Sequence, residues 1–188
     1  AEDGIRDVER SRGLGDVYKR QFPKPLIIEA EKHLSKAEIV SNQVLYNLLE
    51  RDVEKETWPY MREKGIVLIS YSPLAKGLLT GKIKSINDLP DGDFRREHPI
   101  LLNEENMKQV RALLSIIEDL ARKYDKKPAQ IVLNWLLRFE DVYPIPGARK
   151  PEHVEINAGA SGWRLSDADW RLLDEASKRL KFSYYKFR

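Results

Sequence analysis

The sequence predicts an α/β fold in which parallel strands alternate with helices. Short apolar and β-branched runs recur along it, at "AEIVSNQVLYN", "GIVLISYS" and "VYPI". Stretches with apolar residues three and four apart separate these runs, which is the order of βαβ units. No internal repeat or low-complexity tract competes with that alternation.

The elements follow in order. Pro23 and Pro25 open a helix, where a first-turn proline loses no donor, and Leu26, Ile27, Ala30 and Leu34 form its apolar side. A buried strand follows with its core at Ile39, Val40 and Val44, turning polar near Asn42. "VEKETWPYMREKG" reads as a short helix stopped by Gly65. Residues 66–69 form a near-continuous apolar strand of the kind buried on both faces in parallel sheets. Asn103 caps a long helix whose buried stripe is Val110, Leu113, Leu114, Ile117, Leu120, Ala121 and Tyr124. Pro128 starts another, with Ile131, Trp135 and Leu136 inward. The strand "VYPI" leads to a helix from Pro151. A last helix, capped by Ser166 with Asp169 three residues on, carries Leu172, Leu173, Ala176 and Leu180 as its stripe.

Composition excludes several classes. The chain has 188 residues with 33 basic and 30 acidic side chains interspersed, a solvated surface and not a nucleic-acid stripe. The tail "FSYYKFR" interleaves aromatics with Lys186 and Arg188, yet a packed or frayed terminus is the simpler reading. There is no cysteine, so disulfides and thiolate metal sites are excluded, and His33, His98 and His153 lack ligand spacing. No apolar run approaches the roughly 18 residues of a membrane span, and no secretory signal is visible, so the expected location is cytoplasmic. Residues 1–21 differ from the rest: charges alternate in sign and Gly4, Gly13 and Gly15 interrupt any helix. "SRGLGDVYKRQ" resembles translated sequencing-adapter remnants. Residues 1–21 are therefore read as non-native or disordered, and 22–188 as one folded unit whose natural upstream part is missing.

Two loops carry the chemistry. In parallel α/β folds ligands sit beyond the carboxyl ends of strands, and in (β/α)8 barrels the phosphate site is built by the last two strand-to-helix loops. The first loop, "SYSPLAKGLLTGKIKSINDLPDGDFRREHP", offers Tyr71 at the strand mouth, Gly77 and Gly81 for close backbone approach, and the cations Lys76, Lys82, Arg95 and Arg96. A loop this long without structure of its own reads as a lid, and a solvated surface excursion is the competing reading. The second loop is "IPGARKPEHVEIN". Arg149 and Lys150 crowd the start of a helix, where positive charge opposes the helix dipole unless an anion is bound there.

At these residues the sequence resembles the aldo-keto reductase family, in the branch of aryl-alcohol-dehydrogenase-like reductases and potassium-channel β subunits. "VSNQVLYNLLER", "GIVLISYSPLAKGLLTGK" and "PIPGARKPEHVEINAGA" match that family's last three strands in order and spacing, and the likeness spans residues 23–180. The resemblance implies the C-terminal part of a (β/α)8 barrel that binds NADP and transfers hydride between NADPH and an aldehyde or ketone. By the same resemblance Gln43 meets the nicotinamide carboxamide and Tyr71 stacks on its ring. Ser72, Pro73, Leu74 and Lys82 hold the pyrophosphate, and Arg95 closes over it. Gly147, Arg149 and Lys150 surround the adenosine 2′-phosphate, with His153 and Asn157 at the adenine. Ile156 and Leu45 depart from the family pattern, since a polar or acidic group is usual at each.

The resemblance also implies what this stretch lacks. The family's catalytic Asp, Tyr, Lys and His lie on the first four strands, so this chain is expected to hold part of a cofactor site and to be inactive alone. Three strands cannot close a barrel, so the sheet is expected to have open edges and an interior face in water. The alternative to an enzyme is a non-enzymatic NADP-binding module that reports to a partner. Another phosphate-binding barrel, an isomerase or aldolase, needs no adenine-recognising helix like the one at "HVEIN". The expected partner is a small carbonyl substrate, with no nucleic acid and no membrane.

Overall fold

In a computed structural model the described residues are 22–183. The assignment of residues 1–21 as non-native or disordered lies outside them, as does the end of the aromatic tail. The described chain runs α1 (Lys24–His33), β1 (Ser41–Leu45), α2 (Thr57–Glu63), β2 (Val67–Tyr71), α3 (Glu104–Lys123), α4 (Pro128–Leu136), β3 (Val142–Ile145), α5 (Pro151–Ala158) and α6 (Asp167–Lys178). The strands form one parallel sheet in the order β1-β2-β3. Both connections within that sheet pass through helices, as parallel neighbours require.

Register decides what each strand shows to each side. Ser41 pairs with Val67, Gln43 with Ile69 and Leu45 with Tyr71; Ile69 and Tyr71 continue to Tyr143 and Ile145. Because side chains alternate along a strand, these residues share one face. Asn42, Val44, Leu68, Ser70 and Val142 point the other way and are buried against the helices. There they join Trp58, Met61, Leu113, Ile117, Ile131 and Trp135 in one core.

Four expectations are corrected, the first two by that asymmetry. The second strand is not buried on both faces: Val67 and Ile69 are half-buried and only the helix side is closed. The first strand begins at Ser41, with Val40 69 % exposed and Asn42 buried, its amide donating to the Phe22 carbonyl at 2.9 Å. Apolarity suggested the reverse, but the pleat puts Asn42 on the core side. Of the α1 stripe only Ile27 is buried, with Leu26 and Leu34 exposed, because α1 meets its neighbours along a narrow seam. In α6, Leu173 is buried and Ala176 and Leu180 pack partly against the core, whereas Leu172 points to solvent.

The long helices match their sequence signals. Asn103 accepts from the Glu105 and Asn106 amides, and the α3 stripe is buried from Val110 through Ala121. Ser166 caps α6 by accepting from the Asp169 amide. Asp169 in turn accepts from Lys123 at 2.8 Å, Tyr124 at 2.5 Å and Ser166 at 2.7 Å, joining α3 to α6. The Lys123 ammonium, aided by both hydroxyls, holds its carboxyl at about 2. A carboxyl depressed on folding stabilises above its unfolded pKa, and the gain disappears as pH falls. The melting temperature should therefore drop between about pH 4 and the folded value of about 2. Asp169→Asn should lie below the parent at neutral pH and flatten that segment of the profile. A parent curve with the same slope as the variant would show that this carboxylate is not linked to folding.

Candidate functional site

All three strands end at the same edge of the sheet, and the two cationic loops leave from adjacent strands there. Gln43 and Tyr71 lie on the open face, on neighbouring strands and diagonal to one another, since Gln43 pairs with Ile69, two residues before Tyr71. Both are engaged by neighbouring groups in the described structure.

Beyond Tyr71 the backbone turns sharply. Ser72, Ala75 and Lys76 have φ of 48°, 47° and 54°, left-handed values that L-residues rarely adopt. Such strain gathers at ligand clamps and persists where surrounding bonds over-determine it. Here the Ser72 carbonyl accepts from the Ala75 amide at 2.9 Å and from the Asn47 side-chain amide at 3.0 Å. Pro73 is buried and Leu74 packs against the core, so both anchor the turn from below. Gly77 and Gly81 also have positive φ, which the turn itself demands. Lys82 is exposed just past Gly81.

The remainder of the loop is more structured than expected. It contains short 3-10 turns at Ala75–Thr80, Ile86–Asp88 and Phe94–Glu97. Arg96, read as a free cation, instead donates to the Ile86 and Leu89 carbonyls at 3.2 and 2.6 Å and staples the loop to itself. Lys76 lies 5.5 Å from the Phe94 ring centroid. Arg95 reaches back to the turn and donates to the Lys76 carbonyl at 3.3 Å, gripped on its other edge by both oxygens of Asp93. Those bonds to Arg95 hold the Asp93 carboxyl at about 2, with the Arg149 charge acting in the same direction. The charge of the second loop thus acts on a carboxylate of the first.

In the second loop Gly147, Arg149 and Lys150 are all exposed. A Cβ added at Gly147 would meet open space, so the chain's own packing does not require glycine there. Lys150 is the N-cap of α5, and it makes no side-chain cap bond. His153 Nδ1 lies 3.4 Å from the Arg149 amide, and the Asn157 side chain donates to the Gly147 carbonyl at 3.4 Å. Both contacts are long, and they fold the loop back over the first turns of α5. Ile156 is half-buried between them in sequence.

Sequence reasoning missed Asn47 and Asp93. "QVLYN" ends an apolar run on an asparagine, which is an Asx-turn signal, and Asp93 stands two residues before Arg95. Tyr46, the residue after β1, is buried and is no candidate proton donor. Burial, reinforced by a 2.6 Å hydrogen bond to Glu54, pushes its phenol well above the ordinary tyrosine range. It points into the helix-side core, with its ring 5.1 Å from Trp58 and 5.5 Å from Trp135. Among the described residues no group of three or more His, Cys, Asp or Glu could hold a metal ion. No described helix is long and apolar enough to cross a membrane.

Parallel strands, helices on one face and long loops at the carboxyl edge are those of an arc of a (β/α)8 barrel. The aldo/keto reductase family model matches residues 22–178, and the chain belongs to that family. It is 37 % identical over 139 residues to a probable aldo-keto reductase of Glycine max, covering 73 % of this chain and 40 % of that one. It is 38 % identical over 138 residues to an NADP(+) aldo-keto reductase of Schizosaccharomyces pombe, at 71 % and 40 % coverage. An NADH-specific methylglyoxal reductase of Escherichia coli is 35 % identical over 151 residues, at 80 % and 45 %. The solved structure of a glycerol dehydrogenase from Gluconobacter oxydans superposes with a TM-score of 0.74 at 27 % identity, covering 89 % of this chain and 51 % of that one. The chain spans about half the length of these relatives.

Proposed function

We propose that this chain forms the NADP-holding side of a reductase that moves hydride between NADPH and an aldehyde or ketone. The observation that carries the reading is the exposed Arg149–Lys150 pair at the start of α5, beside a strained turn on the adjacent strand. Positive side chains there oppose the helix dipole, and a phosphate reverses the sign of that interaction. The same two cations discriminate between cofactors, since only NADP carries the 2′-phosphate. Relatives are named for either cofactor, one NADP(+) and one NADH-specific, so the choice rests on this pair.

In this reading the bound nicotinamide supplies the hydride, and the chain's residues hold and orient it. Tyr71 presents its ring to one face and Gln43 meets the carboxamide, which their diagonal placement on the open face supports. Ser72 and Leu74 offer backbone groups to the pyrophosphate, Pro73 shapes the turn, and Lys82 adds charge. Arg95 closes from the lid, Gly147 leaves room for close approach, and His153 and Asn157 flank the adenine. The proton donor to the carbonyl oxygen lies outside residues 22–183, and a cytoplasmic setting belongs to the same proposal.

The test is calorimetric titration of NADPH and NADH into the chain. NADPH should bind more tightly. Arg149→Ala and Lys150→Ala should each weaken it about tenfold or more, as expected for a lost charge-assisted bond, and leave NADH unchanged. Equal binding of both cofactors, before and after the substitutions, removes the assignment.

A further inference from the structure

We infer that Asn47 is a positioning residue: a buried strut that fixes the strained turn at residues 72–77 in the shape that receives the cofactor's pyrophosphate. The inference rests on the cofactor reading above. Asn47 is 1 % exposed and stands two residues beyond the end of β1. Its Oδ1 accepts from the Leu49 and Glu50 amides at 2.8 and 3.1 Å, closing a tight turn that the Asn47–Glu50 backbone bridge reinforces. Its Nδ2 crosses to the next strand and donates to the Ser72 carbonyl at 3.0 Å. One side chain therefore ties the loop after β1 to the loop after β2.

The bond falls on the residue that needs it. Ser72 opens the left-handed stretch with φ of 48°, and its carbonyl also receives the Ala75 amide that closes the turn. Left-handed φ at a residue with a Cβ is strained, so the conformation persists only where surrounding bonds hold it. Asn47 supplies one at the turn's first carbonyl. Two residues before Ser72, Ser70 Oγ donates to the Tyr46 carbonyl at 2.6 Å, so the two strand ends are bolted together in both directions. A turn held this way keeps its amides aimed before any ligand arrives, which lowers the ordering cost of binding.

Asn47→Asp separates strut from turn. The carboxylate keeps the acceptor for Leu49 and Glu50 but loses the donor to Ser72 and sets an oxygen against that carbonyl. Two probes read the result in the full chain: NADPH, which spans both loops, and adenosine 2′-monophosphate, which has no 5′-phosphate for the turn and reaches only the Arg149–Lys150 end. The variant should lose about tenfold or more in affinity for NADPH and keep its affinity for the monophosphate. Amide hydrogen exchange at residues 72–77 should rise with the other strands' protection unchanged. Asn47→Ser, with a shorter donor, should fall between parent and Asn47→Asp. Equal losses for both probes would make Asn47 a fold residue only, and unchanged NADPH binding would remove the strut altogether. A parent chain that binds neither probe overturns the cofactor reading and this inference with it.

Discussion

Replacing Arg51 with alanine should destabilise the chain by about 3–5 kcal/mol, the usual consequence of removing one partner from a buried ion pair. Its side chain is only 13 % exposed and its guanidinium is shared among several groups. It meets Asp174 at 2.7 Å and Glu54 at 2.8 Å, donates to Ser177 Oγ at 3.0 Å, and lies 5.0 Å from the centroid of Trp135. Asp174 is 7 % exposed, so losing the cation leaves a carboxylate in the core with Lys178 as its remaining charge partner. Ser177 also donates to the Leu48 carbonyl at 2.6 Å, so the loop carrying Asn47 would loosen from α6 as well. Arg51→Lys keeps the charge but not the planar fork, and should recover less than half of the loss. Arg51→Met combined with Asp174→Leu should recover about half of it, because the most buried carboxylate is gone while Glu54 keeps only the Tyr46 hydroxyl as donor. Urea denaturation midpoints with unchanged slopes measure these differences directly. An alanine variant within about 0.5 kcal/mol of the parent would mean that water already solvates this pair.

Much of this architecture is written in the order of the residues. The α3 stripe and its Asn103 cap fix that helix without ambiguity, since a 20-residue helix repeats its period often enough to exclude a strand. The strands are legible because β-branched runs stand between helix caps. Their faces are not legible at Val40 and at residues 66–69, because apolarity names what prefers burial and not which side of a sheet has a cover. Val40 is apolar and exposed, while Asn42 is polar and buried. Only the pleat separates them. The candidate site residues stand out in the sequence as loop chemistry and as a family likeness. Their supports do not, because the bonds that matter span long separations. Asn47 reaches Ser72 across 25 positions, and Arg51 reaches Asp174 across 123. Local pattern carries no signal over those distances. Arg96 shows the opposite failure, since a cation in a loop was read as available when its charge satisfies two carbonyls a few residues away.

Lysines at Tyr143 and Ile145 should change the solution behaviour of this chain more than any substitution in its core. Tyr143 is 55 % exposed and Ile145 46 %, and they continue the rows of Ile69 and Tyr71 on the face opposite the helices. Covering a large apolar side chain yields about 1.5–3 kcal/mol, so the exposed half of each still offers roughly 1 kcal/mol to any surface that meets it. The strands beside this face are also edges: β1 and β3 each have one unpaired side in the described sheet. An open parallel edge next to an apolar face is a template for another strand, and natural sheets block such edges with charge. Sedimentation of the parent chain should show concentration-dependent association. Tyr143→Lys with Ile145→Lys should weaken it about a thousandfold, the sum of four such side chains across a pair of copies. The far side of the sheet buries Val142 and Leu68 and is untouched, so the substitutions should leave helix content unchanged. A parent chain that sediments as a sharp monomer and melts cooperatively would show that the uncovered face is tolerated by water. In that case the sheet's stability comes from its helical side alone.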